Sequence, residues 1–264
     1  MSRAIVVTSG KGGVGKSTLT VTIGRILSEM DKKTVIVDAD FGLNNVDLLM
    51  KMENSVVYDI VDVAENRCRI SQALLKDNES KNLFVMPSAH AYDKSALDGQ
   101  SLRAIVTALK TRFDFVLIDS PAGIEYGFHR AVSSADEALV VTTPHLSALL
   151  DAEKVVKLLA PYELNKITVA LNRARGDMEK SGDAVSRLEV EKYLGINVSG
   201  VIPDDDSLNV ISTTSVVAKR GSDGYNAVSM LCKYLINGSG EIYDATKRYR
   251  GVLGAIKRKI RKYI

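Results

Sequence analysis

The feature that most constrains this chain is a glycine-rich segment near its start, Gly10-Lys11-Gly12-Gly13-Val14-Gly15-Lys16-Ser17. It fits the phosphate-loop template of Gly, four residues, Gly-Lys and then Ser or Thr. An apolar, strand-like run at 3–8 precedes it, and residues 17–27 follow with helical character. Glycines allow the backbone to bend around an anion, and the positive end of the helix dipole favours negative charge. The segment therefore predicts a nucleotide phosphate site.

The template gives two loop residues specific roles. Lys16 is expected to meet the β- and γ-phosphates, and the Ser17 hydroxyl to take one place on Mg²⁺. We also expect contacts with the nucleotide from the rest of the loop and from the residue after it. These are Gly10, Lys11, Gly12, Gly13, Val14, Gly15 and Thr18. The alternative is a glycine-rich turn that merely closes a strand–helix unit.

Carboxylates follow two further predicted strands. Asp38 and Asp40 come after the strand at 33–37, and Asp119 ends the continuous apolar run at 113–119, which is typical of a parallel strand buried on both faces. Open α/β sheets bind ligands at the carboxyl ends of their strands. We therefore expect Asp119 to hold Mg²⁺ directly or through water, and Asp38 or Asp40 to hold the metal's water shell or the attacking water. Loop acids that cap a helix are the alternative for Asp38 and Asp40.

Two strings resemble the MinD/ParA family of ATPases. One is the phosphate loop, whose extra lysine, Lys11, the basic template does not need, and the other is Ser120-Pro121-Ala122-Gly123-Ile124-Glu125. The likeness is greater to the septum-site-determining group than to the plasmid-partition group, and it is strongest in 1–60 and 113–127. It implies that Lys11 reaches across an ATP-bound homodimer to the partner's nucleotide. It also implies that Asp40 lies near the attacking water, with Asp38 in a supporting role at the metal.

Base recognition is expected from two strand ends. Asn172 ends the predicted strand at 167–173 and resembles the family's adenine-reading residue, whose amide can donate to and accept from the base edge. Pro203 follows the predicted strand at 198–202 and is placed beside the base. Simple loop positions are the alternatives for both residues. The one Asn-Lys pair, Asn165-Lys166, lacks the following Asp of guanine-specific relatives, which favours ATP over GTP.

The positive charge of the chain is concentrated at its end. The sequence has 35 Lys and Arg against 32 Asp and Glu, but eight basic residues and no acid fall within 247–264, so the other 246 residues have a net charge of −5. On a helical wheel, the apolar and tyrosine residues of 249–264 fall on one arc, opposite the basic residues. These are Tyr249, Val252, Leu253, Ile256, Ile260, Tyr263 and Ile264. The pattern predicts a helix lying in an anionic membrane interface, with a helix docked on its own domain or a nucleic-acid tail as alternatives.

Strands alternating with helices predict an α/β fold, a doubly wound, mostly parallel sheet with helices on both faces. Further strands are expected at 83–86 and 138–142, and helices at 97–110 and 146–159. We divide the chain into an ATPase domain at 1–237, a linker at 238–248 and an amphipathic membrane-targeting helix at 249–264. The first strand begins almost at once and no long apolar stretch is present, so we expect a cytoplasmic protein bound peripherally to the membrane.

The function that these features favour is that of an Mg²⁺-dependent ATPase in cell division. The family resemblance implies an ATP-bound homodimer, a MinC-like inhibitor and a MinE-like or other topological factor, with no sequence-specific nucleic acid. A partition ATPase that binds DNA without sequence preference is one alternative, but it needs basic residues spread over the folded surface. A metabolic or redox enzyme of the same fold is another, although Cys68 and Cys232 are not spaced to hold a cluster.

Overall fold

A computed structural model describes residues 2–41, 45–88, 97–210, 218–252 and 254–255. Eight strands in these ranges form one sheet in the order β3-β4-β2-β5-β1-β6-β7-β8. All neighbours pair in parallel except β3 and β4. The strands are β1 (Arg3–Thr8), β2 (Thr34–Asp38), β3 (Leu75–Lys76), β4 (Leu83–Met86), β5 (Phe115–Asp119), β6 (Glu137–Thr142), β7 (Lys166–Ala174) and β8 (Val198–Pro203).

Helices cover the sheet on both faces. Their bounds are α1 (Lys16–Glu29), α2 (Asn45–Leu49), α3 (Ile60–Ala64), α4 (Ile70–Ala73), α5 (Gly99–Lys110), α6 (Tyr126–Val132), α7 (Leu146–Leu159), α8 (Gly176–Ser181), α9 (Arg187–Leu194), α10 (Asp206–Asn209) and α11 (Asp223–Asn237). Short 3₁₀ turns lie at Glu53–Ser55, Ala160–Tyr162 and Lys247–Tyr249. The predicted doubly wound, mostly parallel sheet is confirmed.

The two faces arise from the alternation of side chains along each central strand. In β1, Ala4 and Val6 pack into the core beneath α5, α6, α7 and α9, whereas Ile5 and Val7 pack into the core beneath α1 and α11. Both sets are buried because each face is covered, which explains why these strands are apolar throughout.

The fold differs from expectation at one edge of the sheet. Strand β3 is not predicted from the sequence, and its two residues pair antiparallel with β4. A pattern of alternating hydrophobicity needs at least four residues to be visible, so a strand of this length leaves no signal. The helix expected at 97–110 begins at Gly99, because the Asp98 side chain accepts a hydrogen bond from the Ser101 backbone N–H and caps it.

The sheet order brings the predicted site residues to one edge. β5 lies between β2 and β1, and the register pairs Asp119 with Asp38 on one side and with Val7 on the other. The phosphate loop leaves the carboxyl end of β1 at the same edge. Strands β6 and β7 continue the sheet beyond β1, and the carboxyl end of β7 carries Asn172.

The segment after α11 lies against the domain. Gly238 ends the helix with φ +79°, and Ala245, Thr246 and Tyr249 are buried. A Cβ added at Gly176, the first residue of α8, would lie 1.9 Å from the Ala245 carbonyl oxygen, so this approach requires glycine. The boundaries given to the domain, the linker and the terminal helix stay predictions, and Leu253, Ile256 and Ile260 lie outside the residues whose side chains are described. No helix among the described residues has the length and apolar character needed to cross a bilayer.

Candidate nucleotide site

The phosphate loop takes the backbone conformation that its glycines permit. Gly13 and Gly15 have φ of +81° and +88°, in the left-handed region that favours glycine, and Gly15 caps α1. A Cβ at Gly15 would also lie 2.5 Å from Asn172 Nδ2, and one at Gly10 would lie 2.4 Å from the Asp151 carbonyl oxygen on α7. The loop is therefore held between β7 and α7, with its backbone curved at the start of a helix.

Beneath the loop, three donors converge on one carboxylate. Lys16 Nζ donates to Asp119 Oδ1 at 2.9 Å, the Ser17 hydroxyl donates to Asp119 Oδ2 at 2.7 Å, and the Thr20 hydroxyl donates to Asp119 Oδ1 at 3.0 Å. Asp119 is fully buried, and so many donors compensate for its lost hydration. The structure thus brings together the predicted phosphate lysine and two predicted metal ligands.

Asp38 adds a second buried carboxylate one strand away. Its oxygens accept hydrogen bonds from the backbone N–H groups of Asp40, at 3.0 Å, and Val46, at 3.3 Å. Burial, and then the negative charge of Asp119, raise the pKa of Asp38 to about 8. Two acidic groups and a hydroxyl at one sheet edge form the all-oxygen donor set that Mg²⁺ prefers, so these residues fit the predicted metal.

A cleft of about 460 Å³ opens above this cluster. The loop residues from Lys11 to Thr18 line it together with Asp40, Leu48, Leu49, Ala122 and Arg173. Asp40 is nearly buried and faces this space. Asp40 therefore lines the same cleft as the phosphate loop, and its predicted place near the attacking water and its role in hydrolysis stay predictions.

Lys11 lies on the outer rim of the loop. Its ammonium donates to the Ser147 hydroxyl, near the start of α7, at 3.3 Å, and its side chain is exposed. Lys16, by contrast, is buried. The two lysines therefore occupy different environments, one inside the site and one at the surface of the protein.

The expected base-reading residues line a narrower cleft of about 60 Å³ on the other side of the loop. Asn172 is nearly buried, and its side-chain amide donates to the Val14 carbonyl at 2.8 Å. Pro203 and Asp204, at the end of β8, line the same cleft. Asn172 is thus attached to the phosphate loop in this structure, and contact with a base stays a prediction for both Asn172 and Pro203.

Sequence reasoning missed two residues of this site. Thr20 lies one helical turn after Lys16 and shares its carboxylate partner, and a hydroxyl at that spacing was the signal. Arg173 lines both clefts and has φ +54°. Nothing in its sequence context marks that backbone angle.

Known proteins share both the sequence and the fold of this chain. Residues 1–193 match the ParA family model, described as the NUBPL iron-transfer P-loop NTPase. The septum site-determining protein MinD of Bacillus subtilis is 44% identical over 263 residues, which cover 97% of each chain. This chain belongs to the MinD group of the ParA family.

Two solved MinD structures resemble the fold closely. The Aquifex aeolicus MinC:MinD cell division protein complex has a MinD-like chain with 35% identity and a TM-score of 0.83, covering 91% of this chain and 97% of that one. Pyrococcus horikoshii MinD in complex with Mg-ADP has 28% identity and a TM-score of 0.81, covering 90% and 97%. The resemblance to the MinD group that the loop and the 120–125 string carry is therefore confirmed.

Proposed function

We propose that this MinD-group protein is an Mg²⁺-dependent ATPase that dimerises on ATP, attaches to the membrane through its C-terminal residues and recruits an inhibitor of the division septum. The observation that carries the proposal is the convergence of Lys16, Ser17 and Asp119 beneath a curved glycine loop, with Asp40 lining the same cleft. This is the arrangement of cation, metal ligands and water-positioning carboxylate that phosphoryl transfer to water requires.

Each side chain then has a distinct role. Mg²⁺, held by Ser17, Asp119 and Asp38, would neutralise charge on the phosphate oxygens. Lys16 donates to the β- and γ-phosphates, and the loop N–H groups bind their remaining oxygens. Asp40 orients the attacking water and accepts a hydrogen bond from it.

The surface around the cleft favours a dimer with the nucleotide between the subunits. Lys11 extends from the rim, and Leu48, which lines the cleft, is 61% exposed. Ile124 and Tyr126, which follow the lining residue Ala122 in the chain, are 43% and 64% exposed. Exposed apolar residues that border a functional site are typical of an interaction surface. A second subunit would cover them and bring its own Lys11 to the nucleotide, where the charge develops.

Membrane attachment is proposed from the C-terminal charge and from Val252. Eight basic residues and no acid lie in 247–264, and the Val252 side chain is 80% exposed. Basic residues near an anionic surface contribute about 1 kcal/mol each. The Aquifex complex of MinC with MinD supports a MinC-like partner for this chain, and a MinE-like or other topological factor is the proposed activator.

The decisive measurement is the release of phosphate from ATP with anionic vesicles, with double-stranded DNA and with neither. We expect turnover to rise with anionic vesicles and to be unchanged by DNA. Stimulation by DNA alone would favour a partition ATPase, and no hydrolysis of ATP under any condition would favour a metabolic enzyme of the same fold.

A further inference from the structure

Arg173 has an unusual backbone for its place in a strand. It belongs to β7, yet its φ is +54°, a left-handed angle that residues other than glycine, asparagine and aspartate rarely adopt. The pairing of β7 with β8 shifts register between Leu171 and Ala174, so the extra residue is bulged out of the ladder. Strained residues of this kind persist where the surroundings hold them, and they are concentrated at functional sites.

The bulge turns Arg173 toward the site while its neighbours are used in packing. Asn172 donates a hydrogen bond to the phosphate loop. Arg175 forms a bidentate salt bridge with Asp177, at 3.0 Å from Nε to Oδ1 and 2.7 Å from Nη2 to Oδ2. Arg173 is exposed, and within the described part of the chain its guanidinium has no hydrogen-bond, ion-pair or ring partner. A cation without a partner is therefore held beside the nucleotide site.

Its position relative to the two clefts indicates what it binds. Gly15, Thr18 and Arg173 are the described residues that line both the phosphate cleft and the base cleft. Gly15 and Thr18 belong to the loop and the first turn of α1, whereas Arg173 belongs to β7, so the loop and the strand meet where the two clefts join. A nucleotide spanning both clefts would pass between them at its ribose and innermost phosphates.

We propose that Arg173 binds the nucleotide at this point, through a charge-assisted hydrogen bond from its guanidinium to the phosphate nearest the ribose. This inference rests on the proposed function, because it assumes that the two clefts hold one nucleotide. The phosphate nearest the ribose is present in both ATP and ADP. The contact therefore contributes to the affinity of the monomer for both nucleotides, unlike Lys11, whose proposed contact is with the partner's ATP.

Arg173→Gly removes the guanidinium without straining the backbone, because glycine adopts the left-handed angle freely. Any loss of nucleotide affinity in this variant then reports on the cation. We expect this variant to melt no lower than the wild type and to bind both ATP and ADP about tenfold more weakly, as loss of a hydrogen bond to a charged group requires. Arg173→Asn, which also tolerates that backbone angle, serves as a second variant with the same expectation. Lys81→Ala, at the opposite edge of the sheet, is the matched control for loss of one exposed cation and should bind as the wild type does.

The assay is titration of each protein with ATP and with ADP in Mg²⁺, together with thermal melting without nucleotide. Wild-type affinity for both nucleotides in Arg173→Gly would overturn the inference. A loss confined to ATP, with ADP binding unchanged, would also overturn it, because it would place Arg173 at the dimer contact instead. Failure of the wild type to bind either nucleotide would refute the proposed function itself, which is a separate result.

Discussion

Asp119 shows how a single buried carboxylate positions several functional groups. It accepts hydrogen bonds from Lys16, Ser17 and Thr20, all on the first turns of α1, while it ends the neighbouring strand β5. An unpaired charge in this place would be costly, so the three donors and the acid fix one another. The start of the helix and the end of the strand are thereby aligned at the site.

Replacement of Asp40 tests the assignment of the attacking water. Asp40→Ala should still bind Mg·ATP, because the loop, Lys16 and Ser17 remain, but its turnover should fall about 10²-fold or more. A long-lived ATP dimer is expected, since hydrolysis no longer ends it. Phosphate release and light scattering on the same sample measure both effects, and normal turnover would remove Asp40 from its proposed role.

Lys11 is assigned to the partner's nucleotide, so its loss should affect assembly more than binding. Lys11→Ala should abolish ATP-dependent dimers and lower hydrolysis by about 10³-fold, by analogy with an arginine finger, while monomers keep part of their nucleotide affinity. Ser147→Ala is the matched control, because it removes the hydrogen-bond partner of Lys11 within the monomer and leaves the cation. If Lys11→Ala forms active dimers, Lys11 is only a solvated surface residue.

Asp38 makes the stability of the metal-free protein depend on pH. Its pKa is about 8 in the folded protein and about 4 when the chain unfolds, so the folded state holds a proton that the unfolded state has lost between these values. Stability therefore falls as the pH rises through this window. Asp38→Asn cannot titrate, and with a chelator present it should gain roughly 2 to 4 kcal/mol relative to the wild type between pH 5 and pH 8. Denaturant unfolding of both proteins at pH 5 and pH 8 tests this. An equal change in the free energy of unfolding between the two pH values for the wild type and for Asp38→Asn would contradict it.

At the scale of elements, the phosphate loop depends on close contact with α7. The Gly10 position leaves no room for a Cβ, because the nearest atoms are the backbone carbonyl of Asp151, whereas a Cβ at Gly12 would meet no atom within 4 Å. Backbone atoms cannot rotate aside as a side chain can. The contact therefore couples the position of the loop to that of α7, the helix that carries Ser147. A displacement of one should displace the other.

Two alanine variants measure this contact. Gly10→Ala should lower the free energy of unfolding of the nucleotide-free protein by about 1–3 kcal/mol, the usual effect of overpacking. Gly12→Ala, whose φ is not in the left-handed region, should leave it within about 0.5 kcal/mol. Chemical denaturation of the two variants and the wild type provides the comparison. Equal stabilities would show that the loop and α7 move apart without cost.

At the scale of the whole molecule, the segment after α11 connects the domain to its basic end. Arg248 pairs with Asp223 at the start of α11, Arg250 pairs with Asp244, and Tyr249 is buried. A chain shortened to end at Tyr249 keeps the Arg248 pair and the buried ring, and it gives up the exposed Arg250 pair together with residues 251–264. The shortened chain is suited to testing the membrane proposal without disturbing the domain.

Membrane binding should depend on both the tail and the nucleotide. We expect the full chain to sediment with anionic vesicles in ATP, weakly in ADP and hardly with neutral vesicles, and the chain ending at Tyr249 to remain unbound in each case. Two tails on one dimer gain effective concentration, which strengthens binding by about 10²-fold without new contacts. Val252→Glu in the full chain is a point control that opposes insertion by one exposed apolar residue. Equal sedimentation in ATP and ADP would contradict the expected dependence of membrane binding on ATP.

The doubly wound sheet, the phosphate loop and the strand-terminal acids could be predicted from the residues alone, because each leaves a local pattern: apolar runs, glycine spacing, and carboxylates directly after buried strands. The sequence also indicated MinD membership through two short strings. The folded structure was needed to show that Thr20 shares the Asp119 partner, that Gly10 contacts α7, and that Arg173 has a left-handed backbone where it lines two clefts. These features depend on atoms that are close in space but more than 90 residues apart in the chain, or on a register shift between strands, and neither leaves a periodic signal in the residues themselves.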